Sequence, residues 1–367
     1  MKSYRDNLQE KWATKFIESN GRGILHLCPR SGKIRTSIRI FCKYQRLYLG
    51  SKKPRILICY PDKNIQQSWE NDFIEVGYKN PNIEYTTHLS IGKLIDEQYD
   101  IIVCDEIHLL SPNQKRNLKS LMRTQNKNSL ILGLSGTLSS KTETELRLDL
   151  GLKVIEKYTL EEAIKDGIIS DYVINVVNTG LDNKEIVDFK KGRTEKQQYD
   201  ALTWVIKKTG PNLFLNLARM RIIHNSLAKT ERTKTVLKHL KNERVLVFCA
   251  NNKTAKELGC KVHTNKFNNQ NEFEKFIEGN SSKNKHMAVC KIGNTGVSFK
   301  NLSNIVINAF DSNSENLTQR ICRSLILDEK GKISNIWIIS STEEAEQNWL
   351  AKALEFFNPR KIKYSHL

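Results

Sequence analysis

Nine short apolar runs separated by longer amphipathic stretches restrict the folds open to this chain. Each run has five to seven residues, is rich in Ile, Leu and Val, and lacks polar alternation. Strands buried on both faces of a parallel sheet have this composition, and the intervening stretches are typical of flanking helices. The pattern predicts an α/β fold with strands at 23–27, 55–60, 100–104, 129–134, 172–177, 244–250, 286–290, 304–308 and 334–339.

The runs fall into two series, which indicates two domains, each a mainly parallel sheet flanked by helices. Between the series lies "YTLEEAIKDGIISDY", residues 158–172, with Thr159 as a candidate helix cap and Gly167 as a candidate stop. We therefore expect domains at 1–168 and 169–367. The second domain contains an insert at about 183–243 whose sequence is typical of helices.

The charge of the chain is strongly positive and unevenly distributed. There are 59 Lys and Arg against 40 Asp and Glu, a formal net charge of +19, which favours a polyanionic partner such as nucleic acid. From Lys184 to Arg244 there are fifteen basic and six acidic residues, so this segment alone supplies +9. Two interpretations of it remain open: a solvated helical face, or a surface that contacts nucleic acid.

The eight cysteines include no C-x-x-C pair, and most lie within apolar runs, where Cys acts as a small hydrophobic residue. This usage favours a reducing compartment over disulfides or structural zinc. The N-terminus has no signal-peptide core, and no apolar stretch is as long as a membrane span. We expect a cytoplasmic protein that does not interact with membranes.

Residues 23–44, "GILHLCPRSGKIRTSIRIFCKY", have the strand–turn–helix order of a phosphate-binding loop. Gly32 would let the backbone approach the phosphates, and Lys33 would place a positive charge near the β- and γ-phosphates of ATP. Two positions depart from the pattern G-x-x-x-x-G-K-[ST]: Leu27 replaces the first Gly, and Ile34 replaces the hydroxyl residue that ligates Mg²⁺. The short "SGK" match by itself is also compatible with chance.

A second motif, "IIVCDEIHLL", places two carboxylates and a histidine directly after a buried strand. The carboxyl ends of strands are where open α/β sheets bind their ligands. Asp105 could hold Mg²⁺ through its water shell, Glu106 could orient or deprotonate an attacking water, and His108 could sense the γ-phosphate. The alternative is an acidic turn that faces solvent after a strand.

Taken in order, the motifs resemble those of the superfamily 2 helicases of the DExH type over nearly the whole chain. The matching stretches are "CPRSGKI" for motif I, "DEIH" for motif II, "SGT" for motif III, "VLVFC" for motif IV, "NTGVSF" for motif V and "QRICRSLI" for motif VI. Within that family the chain is most similar to compact phage-type helicases, such as the UvsW group of DNA branch-migration enzymes. The N-terminal "YRDNLQEKW" resembles the short motif in which a Gln reads adenine.

This resemblance implies two RecA-like domains with ATP held between them. By matched position, Lys33 would neutralise phosphate, Asp105 would hold Mg²⁺ and Glu106 would activate water. The implied ATP-binding residues are Gln9, which would read adenine, together with Pro29, Arg30, Ser31, Gly32, Lys33, Ile34 and Gly296.

From the second domain, the resemblance implies that Gln319 links the two lobes together with His108. Arg323 is the position that best matches an arginine finger, a group worth about 10³ to 10⁵ in rate in phosphoryl transfer generally. Arg320 would also lie across the cleft, although a structural ion pair that braces its own domain is an alternative role.

The resemblance further implies nucleic-acid contacts made by loops that follow the strands, mostly to the backbone and therefore with little sequence selectivity. DNA is favoured over RNA, and the chain could act as a monomer or with a protein partner. Ser135 and Thr137 would relay the nucleotide state to the bound strand. The implied contact residues are Lys63, Thr86, Ser135, Thr137 and Thr295.

Several residues depart from the family pattern. Besides Ile34, Arg30 stands where the family usually has Gly, and in motif VI Cys322 replaces a Gly and Ile326 replaces the last Arg. Three functions therefore remain open: an active ATP-dependent DNA helicase or translocase that remodels branched DNA in replication, recombination or repair; a nucleic-acid-binding helicase-fold subunit with little or no ATPase activity, or a transcription- or RNA-associated helicase; and the motor of a restriction or defence complex.

Overall fold

The computed structural model describes residues 3–210, 212–263, 270–279, 285–290, 299–311, 314–327 and 331–365. The chain divides into two compact units, Met1–Ile169 and Ser170–Leu367. The division lies one residue beyond the position expected from the sequence. No helix among the described residues combines the length and the apolar character needed to cross a bilayer.

The first unit is a six-stranded sheet in which every pair of neighbouring strands is parallel. The strand order is β3-β2-β4-β5-β1-β6. Its strands are β1 (Arg22–Leu27), β2 (Ile56–Tyr60), β3 (Ile83–Thr87), β4 (Ile101–Cys104), β5 (Leu130–Ser135) and β6 (Val154–Tyr158). Its helices are α1 (Tyr4–Glu18), α2 (Lys33–Tyr44), α3 (Asn64–Glu75), α4 (Pro112–Thr124), α5 (Ser140–Leu150) and α6 (Leu160–Lys165).

The candidate site lies at the ends of three neighbouring strands of this sheet, β4, β5 and β1. Every residue of β4 and β5 is buried, as expected for strands covered by helices on both faces. Large apolar side chains such as Ile102, Leu121 and Leu146 pack in one core cluster, and each contributes about 1.5–3 kcal/mol through burial. Since β4, β5 and β1 are neighbouring parallel strands, the segments that follow their carboxyl ends lie side by side at the same end of the sheet.

The second unit is a seven-stranded parallel sheet with the order β11-β12-β10-β13-β14-β7-β15. Both sheets are flanked by helices, so the predicted fold class is confirmed. The strands are β7 (Asp171–Thr179), β10 (Val245–Cys249), β11 (Lys261–His263), β12 (His286–Cys290), β13 (Asn304–Ile307), β14 (Ile333–Ser341) and β15 (Ile362–Ser365), and the helices that follow the insert are α10 (Asn252–Glu257), α11 (Gln270–Glu278), α12 (Ser314–Ile321) and α13 (Glu344–Leu354).

The basic insert of the second unit begins differently from the prediction. Residues 186–194 form a short antiparallel hairpin of β8 (Ile186–Asp188) and β9 (Arg193–Thr194), so the expectation of helix from residue 183 is wrong for this part. The reason is local: Gly192 adopts a left-handed φ of 59°, which turns the chain back on itself. Three helices then follow as expected: α7 (Glu195–Thr209), α8 (Leu213–His224) and α9 (Leu227–His239).

A buried carboxylate fixes the insert. Glu195, the first residue of α7, accepts hydrogen bonds from the backbone N–H of Asp182 at 3.1 Å and from the hydroxyl of Ser226 at 3.0 Å. It also accepts one from the N–H of Leu227, at the start of α9, at 2.6 Å. A negative charge at a helix N-terminus is stabilising, because it faces unpaired N–H groups. Glu195 therefore holds the starts of α7 and α9 together.

Candidate nucleotide-binding site

The segment between β1 and α2 is a tight loop with two residues in the left-handed region. Gly32 has a φ of 94°, and a Cβ at this position would lie 2.2 Å from Nε2 of Gln9, so any other residue would be strained and would displace the Gln9 side chain. Arg30 has a φ of 71°, a conformation that costs an ordinary L-residue about 1 kcal/mol. Glycine adopts this conformation without that cost, in agreement with the Gly that the family resemblance leads us to expect at the position of Arg30. The loop ends at Lys33, the first residue of α2.

Gln9 supports this loop from α1. Its side chain is 1% exposed, and its Nε2 donates to the backbone carbonyl of Ser31 at 3.1 Å. The hydroxyl of Ser31 in turn donates to the carbonyl of Cys28 at 2.7 Å, which closes the turn internally. Within the described residues, Oε1 of Gln9 is buried without a hydrogen-bond partner. The structure thus places Gln9 against the phosphate loop, and its role in reading adenine stays a prediction.

The central interaction of the site is an ion pair between the two motifs. Nζ of Lys33 lies 2.7 Å from Oε1 of Glu106, and the two side chains are only 16% and 15% exposed. Glu106 itself has a left-handed φ of 47°, so the backbone after β4 is strained in order to aim its carboxylate at the loop. Gly136 leaves room for this contact, since a Cβ there would lie 3.2 Å from Nζ of Lys33.

The pair shifts both pKa values away from what burial alone would produce. Burial alone would raise the pKa of Glu106, but the Lys33 ammonium, His108 and the N–H of Gly136 outweigh it and lower the pKa to about 2. Burial likewise opposes the charge of Lys33, yet the carboxylates of Glu106 and Asp105 raise the pKa of Lys33 above its usual value. Both groups are therefore charged at neutral pH.

Asp105 is buried and its position is fixed on all sides. Its Oδ2 accepts a hydrogen bond from the indole N–H of Trp69 at 3.0 Å, and its Oδ1 accepts one from the backbone N–H of Glu106 at 3.0 Å. Nε2 of His88 donates to its backbone carbonyl at 3.0 Å. Burial lowers the pKa of His88 to about 4, so this ring is neutral at pH 7. Burial raises the pKa of Asp105, and the charge of Glu106 adds to this effect, while Lys33 opposes it.

Trp69 and His88 are site residues that the sequence reasoning missed. Trp69 lies on α3 and His88 follows β3, far along the chain from the motif that they support. A signal existed for the tryptophan: Ile65, Trp69 and Phe73 recur every four residues, as on the buried face of a helix. A buried indole N–H needs an acceptor, and a neighbouring carboxylate is a suitable one.

Motif III is joined to motif II by hydrogen bonds. The hydroxyl of Ser135 donates to the carbonyl of Thr137 at 2.7 Å and lies 2.8 Å from Nδ1 of His108. Because a hydroxyl has one proton, the first bond requires that Nδ1 of His108 carry the hydrogen and donate to Ser135. The same Nδ1 is 3.5 Å from Oε2 of Glu106. A continuous polar path thus leads from Lys33 through Glu106 and His108 to Ser135 and Thr137.

The residues present fit Mg²⁺ only as an ion held largely by water and phosphate. The hydroxyls of Thr36 and Ser37 donate to the carbonyls of Gly32 and Lys33 within α2, at 3.1 and 3.0 Å, and do not replace the one lost at Ile34. Among the described residues, no cluster of three or more His, Cys, Asp or Glu could hold a metal alone. Mg²⁺ commonly binds through one or two carboxylates plus waters and phosphates, and the carboxylate of Asp105 beside the loop meets that requirement.

The residues predicted to contact nucleic acid differ in their exposure to solvent. Lys63 is exposed in the turn after β2, whereas Thr86 is buried within β3 and offers little surface to a partner. Ser135 and Thr137 are also buried, which agrees with a relay better than with direct contact. Thr295 and Gly296 lie outside the described residues.

In the second unit, Gln319 and Arg320 lie on α12, and Arg323 follows that helix by two residues. Nη1 of Arg320 donates to the carbonyl of Ala309 at 2.8 Å, and its guanidinium lies 5.6 Å from the ring centre of Phe248. Burial lowers the pKa of Arg320. These contacts favour the bracing role of Arg320 within its own unit. Arg323 is half-buried, and its role as a finger stays a prediction.

Comparisons with known proteins agree with this architecture. The family model for the helicase conserved C-terminal domain matches residues 228–325, less than a third of the chain. No curated protein matches the sequence.

Several solved structures share the fold of the whole chain. A fragment described as the HsdR subunit of a type I restriction enzyme from Vibrio vulnificus YJ016 superimposes with a TM-score of 0.64 at 17% identity, covering 99% of this chain and 68% of that one. A point variant of S. cerevisiae Dbp5 bound to RNA and ADP BeF3 gives 0.59 at 12% identity, covering 98% and 89%. LlaBIII, an ATP-dependent type ISP restriction-modification enzyme bound to DNA, gives 0.60 at 14% identity, and this chain covers 31% of it while matching over its own full length. The chain shares its fold with these proteins, and residues 228–325 match the helicase conserved C-terminal domain.

Proposed function

We propose that this protein is an ATP-dependent DNA helicase or translocase that moves on or remodels branched DNA, as DExH-type and UvsW-like enzymes do. The observation that supports it best is the Lys33–Glu106 ion pair, formed between a helix-N-terminal phosphate loop and a strand-end carboxylate. A loop of this form binds phosphate through its backbone N–H groups and the helix dipole. The fold similarity and the net charge of +19 point to the same class of function.

In the proposed mechanism, the ammonium of Lys33 moves from Glu106 to the phosphates of ATP. The carboxylate of Glu106 then loses the partner that lowers its pKa, so that it becomes a better acceptor for a proton of the attacking water. Mg²⁺, when bound, would neutralise charge on the β- and γ-phosphates, and Asp105 would hold it through water. Trp69 and the N–H of Glu106 keep the carboxylate of Asp105 in place.

The loss of the Lys33 contact would also reach motif III. Nδ1 of His108 lies close to both Oε2 of Glu106 and the hydroxyl of Ser135, so a shift of the Glu106 carboxylate changes the electrostatic surroundings of the Nδ1–H of His108. From the second unit, we propose Arg323 as the arginine finger and Gln319, together with His108, as the link between the two lobes. Contacts to DNA would be made to its backbone, with Lys63 and Thr295 among them.

The test is ATP hydrolysis measured with and without single-stranded, duplex, forked and four-way DNA, and with matched RNA. We expect strong stimulation by DNA and a loss of at least 100-fold in kcat for Glu106→Gln, which removes the group that activates the water, and for Lys33→Met, which removes the positive charge that acts on the phosphates. Lys115→Met is a matched control, because Lys115 is also a buried lysine paired with carboxylates in the same unit. Purified protein whose ATP turnover does not respond to any nucleic acid contradicts the proposal.

A second candidate function is a nucleic-acid-binding subunit with the helicase fold and little hydrolysis. The observation that favours it is the missing magnesium ligand at Ile34, which neither Thr36 nor Ser37 replaces. Ile34→Thr separates the two candidates: a gain of at least 10-fold in turnover would show a weakened site, whereas no gain together with salt-sensitive binding of nucleic acid favours the subunit.

A further inference from the structure

The connection between α7 and α8 presents an unusual surface. It consists of Trp204, Lys207 and Lys208 near the end of α7 and Leu213 and Phe214 at the start of α8, and we refer to it as the junction surface. These side chains lie within about two helical turns of the connection.

The apolar side chains of the junction surface are unusually exposed. Trp204 is 60% exposed, Leu213 70% and Phe214 80%. A helix with apolar residues on all sides is normally buried, yet in α8 only Ile223 is buried. The insert does not need these three side chains for its own core, because Tyr199 and Ile223 pack in a separate cluster. Large exposed apolar groups of this kind mark binding sites.

Hydrogen bonds define the two helix ends on either side of residue 211. The N–H of Gly210 donates to the carbonyl of Ile206 at 3.0 Å, which ends α7. The side chain of Asn212 accepts hydrogen bonds from the N–H groups of Phe214 and Leu215, at 2.8 and 3.3 Å, which starts α8. The aromatic side chains therefore project from two helix ends that hydrogen bonds define.

The charge of the segment around the junction surface indicates which class of partner it would bind. Residues 201–230 contain five Lys or Arg and not one Asp or Glu. Nζ of Lys208 lies 4.5 Å from the ring centre of Trp204, so a cation and an exposed aromatic face occur together. An acidic or neutral protein surface would satisfy either the charge or the aromatic rings, whereas a single-stranded nucleic acid satisfies both, with its phosphates and with its unpaired bases.

We propose that the junction surface binds single-stranded nucleic acid, with unpaired bases stacked on Trp204 and Phe214 and phosphates neutralised by Lys207 and Lys208. This inference deepens the proposed function, since it names the strand that the second unit would hold. It differs from the contacts expected at the loops after the strands, because it depends on base stacking on the insert. Sequence preference is weak, since every base offers a π-face.

The test is equilibrium binding of a fluorescently labelled dT oligonucleotide and of a duplex of equal length, with the full chain and without ATP. Stacking on an aromatic side chain corresponds to about 5- to 100-fold in affinity. We expect Trp204→Ala and Phe214→Ala each to weaken binding of the single strand by that factor and binding of the duplex by less than 2-fold, with Trp204→Phe near wild type. Lys208→Gln should reduce the slope of log affinity against log salt by about 0.7.

Tyr364→Ala is the matched control, because Tyr364 is an exposed aromatic residue beside lysines on β15, outside the insert, and this change should leave both affinities unaltered. Quenching of tryptophan fluorescence by the oligonucleotide gives a second readout: it should be weaker in Trp204→Phe, since Trp204 is 60% exposed, whereas Trp12 and Trp69 are buried and Trp337 and Trp349 are half-buried. Unchanged affinity in both alanine variants, or an equal loss for single strand and duplex, overturns the inference. So does a dimer in sedimentation that Phe214→Ala dissociates, which would make the occupant a second copy.

The two proposals can fail separately. Loss of single-strand binding in Trp204→Ala in a protein without ATPase activity leaves the inference standing and removes the motor. The converse outcome is that duplex DNA stimulates the ATPase activity while substitutions in the junction surface leave single-strand binding unchanged. That result removes the inference and leaves the motor standing.

Discussion

Replacing Glu106 by Gln tests the electrostatic basis of the candidate site independently of catalysis. The substitution keeps the shape of the side chain and an oxygen that can accept from Lys33, and it removes only the negative charge. Lys33 would then face Asp105 alone, in a site where both partners of the original pair are about 15% exposed. We expect the folded protein to lose most of the stability that the ionised carboxylate supplies.

The magnitude follows from the pKa of Glu106. A fall from its ordinary value of 4.5 to about 2 corresponds to about 3 kcal/mol in favour of the folded state at neutral pH. The folded-state pKa is the lower one, so this stability is fully present above pH 4.5 and is lost as the pH falls towards 2. About 2 kcal/mol of it should be gone at pH 3. The side chain in Glu106→Gln does not titrate. The free energy of unfolding of this variant should therefore lie far below that of wild type at pH 7 and only slightly below it at pH 3.

The assay is urea unfolding of the full chain at both pH values, followed by tryptophan fluorescence, with wild type and variant compared at each pH. Subtracting the two cancels the carboxylates that do not interact with Glu106, and the difference contains the response of Glu106 together with that of its neighbour Asp105. Glu145→Gln is the control: Glu145 is about half exposed and pairs with Lys115, so its deficit should stay below about 1 kcal/mol at either pH. A deficit of Glu106→Gln that is equally small, or that does not change with pH, would refute the reasoning that Glu106 is ionised and paired.

Two further predictions concern Trp69 and Lys229, the buried partners of two carboxylates. Trp69→Phe removes the indole hydrogen bond that lowers the pKa of Asp105, so that pKa should rise further and the acid limb of the ATPase pH profile should move to higher pH; an unmoved limb in an active variant would contradict this. Lys229→Met leaves the buried carboxylate of Glu346 without its cation, and we expect a loss of about 3–5 kcal/mol in urea unfolding. Adding Glu346→Gln should recover part of that loss, and failure to recover any would show that the charge is not the cause.

The sequence was sufficient to locate the interior of both sheets. All nine strands predicted from apolar runs are present, with ends that agree to within two residues. The four strands of these sheets that were not predicted are β3, β6, β11 and β15, and each lies at the edge of its sheet. An edge strand is covered on fewer sides, so it tolerates polar residues, as in "IEYTT" and "VIEKY", and loses the apolar signal.

The candidate site was predictable to the extent that it follows from strand ends. Lys33, Glu106 and Ser135 come together because β1, β4 and β5 are neighbours and parallel, which is a property of the fold class. The contacts of Trp69 and His88 with Asp105 depend on how α3 and the segment after β3 pack, and no local pattern specifies that packing. The left-handed φ of Glu106 could not be predicted from the sequence either, because a glutamate residue seldom adopts a positive φ.

The polar edges of the two sheets bear on how this protein behaves at high concentration. An uncovered parallel strand displays unpaired N–H and C=O groups that a second molecule could extend into a growing ribbon. Every outer strand here carries a charged side chain: Glu84, Lys157, Lys261 and Lys363. Bringing two copies edge to edge would desolvate these charges, and the surplus of lysine across the molecule adds mutual repulsion. The charges that made these strands hard to recognise would therefore also oppose association through the sheet edges.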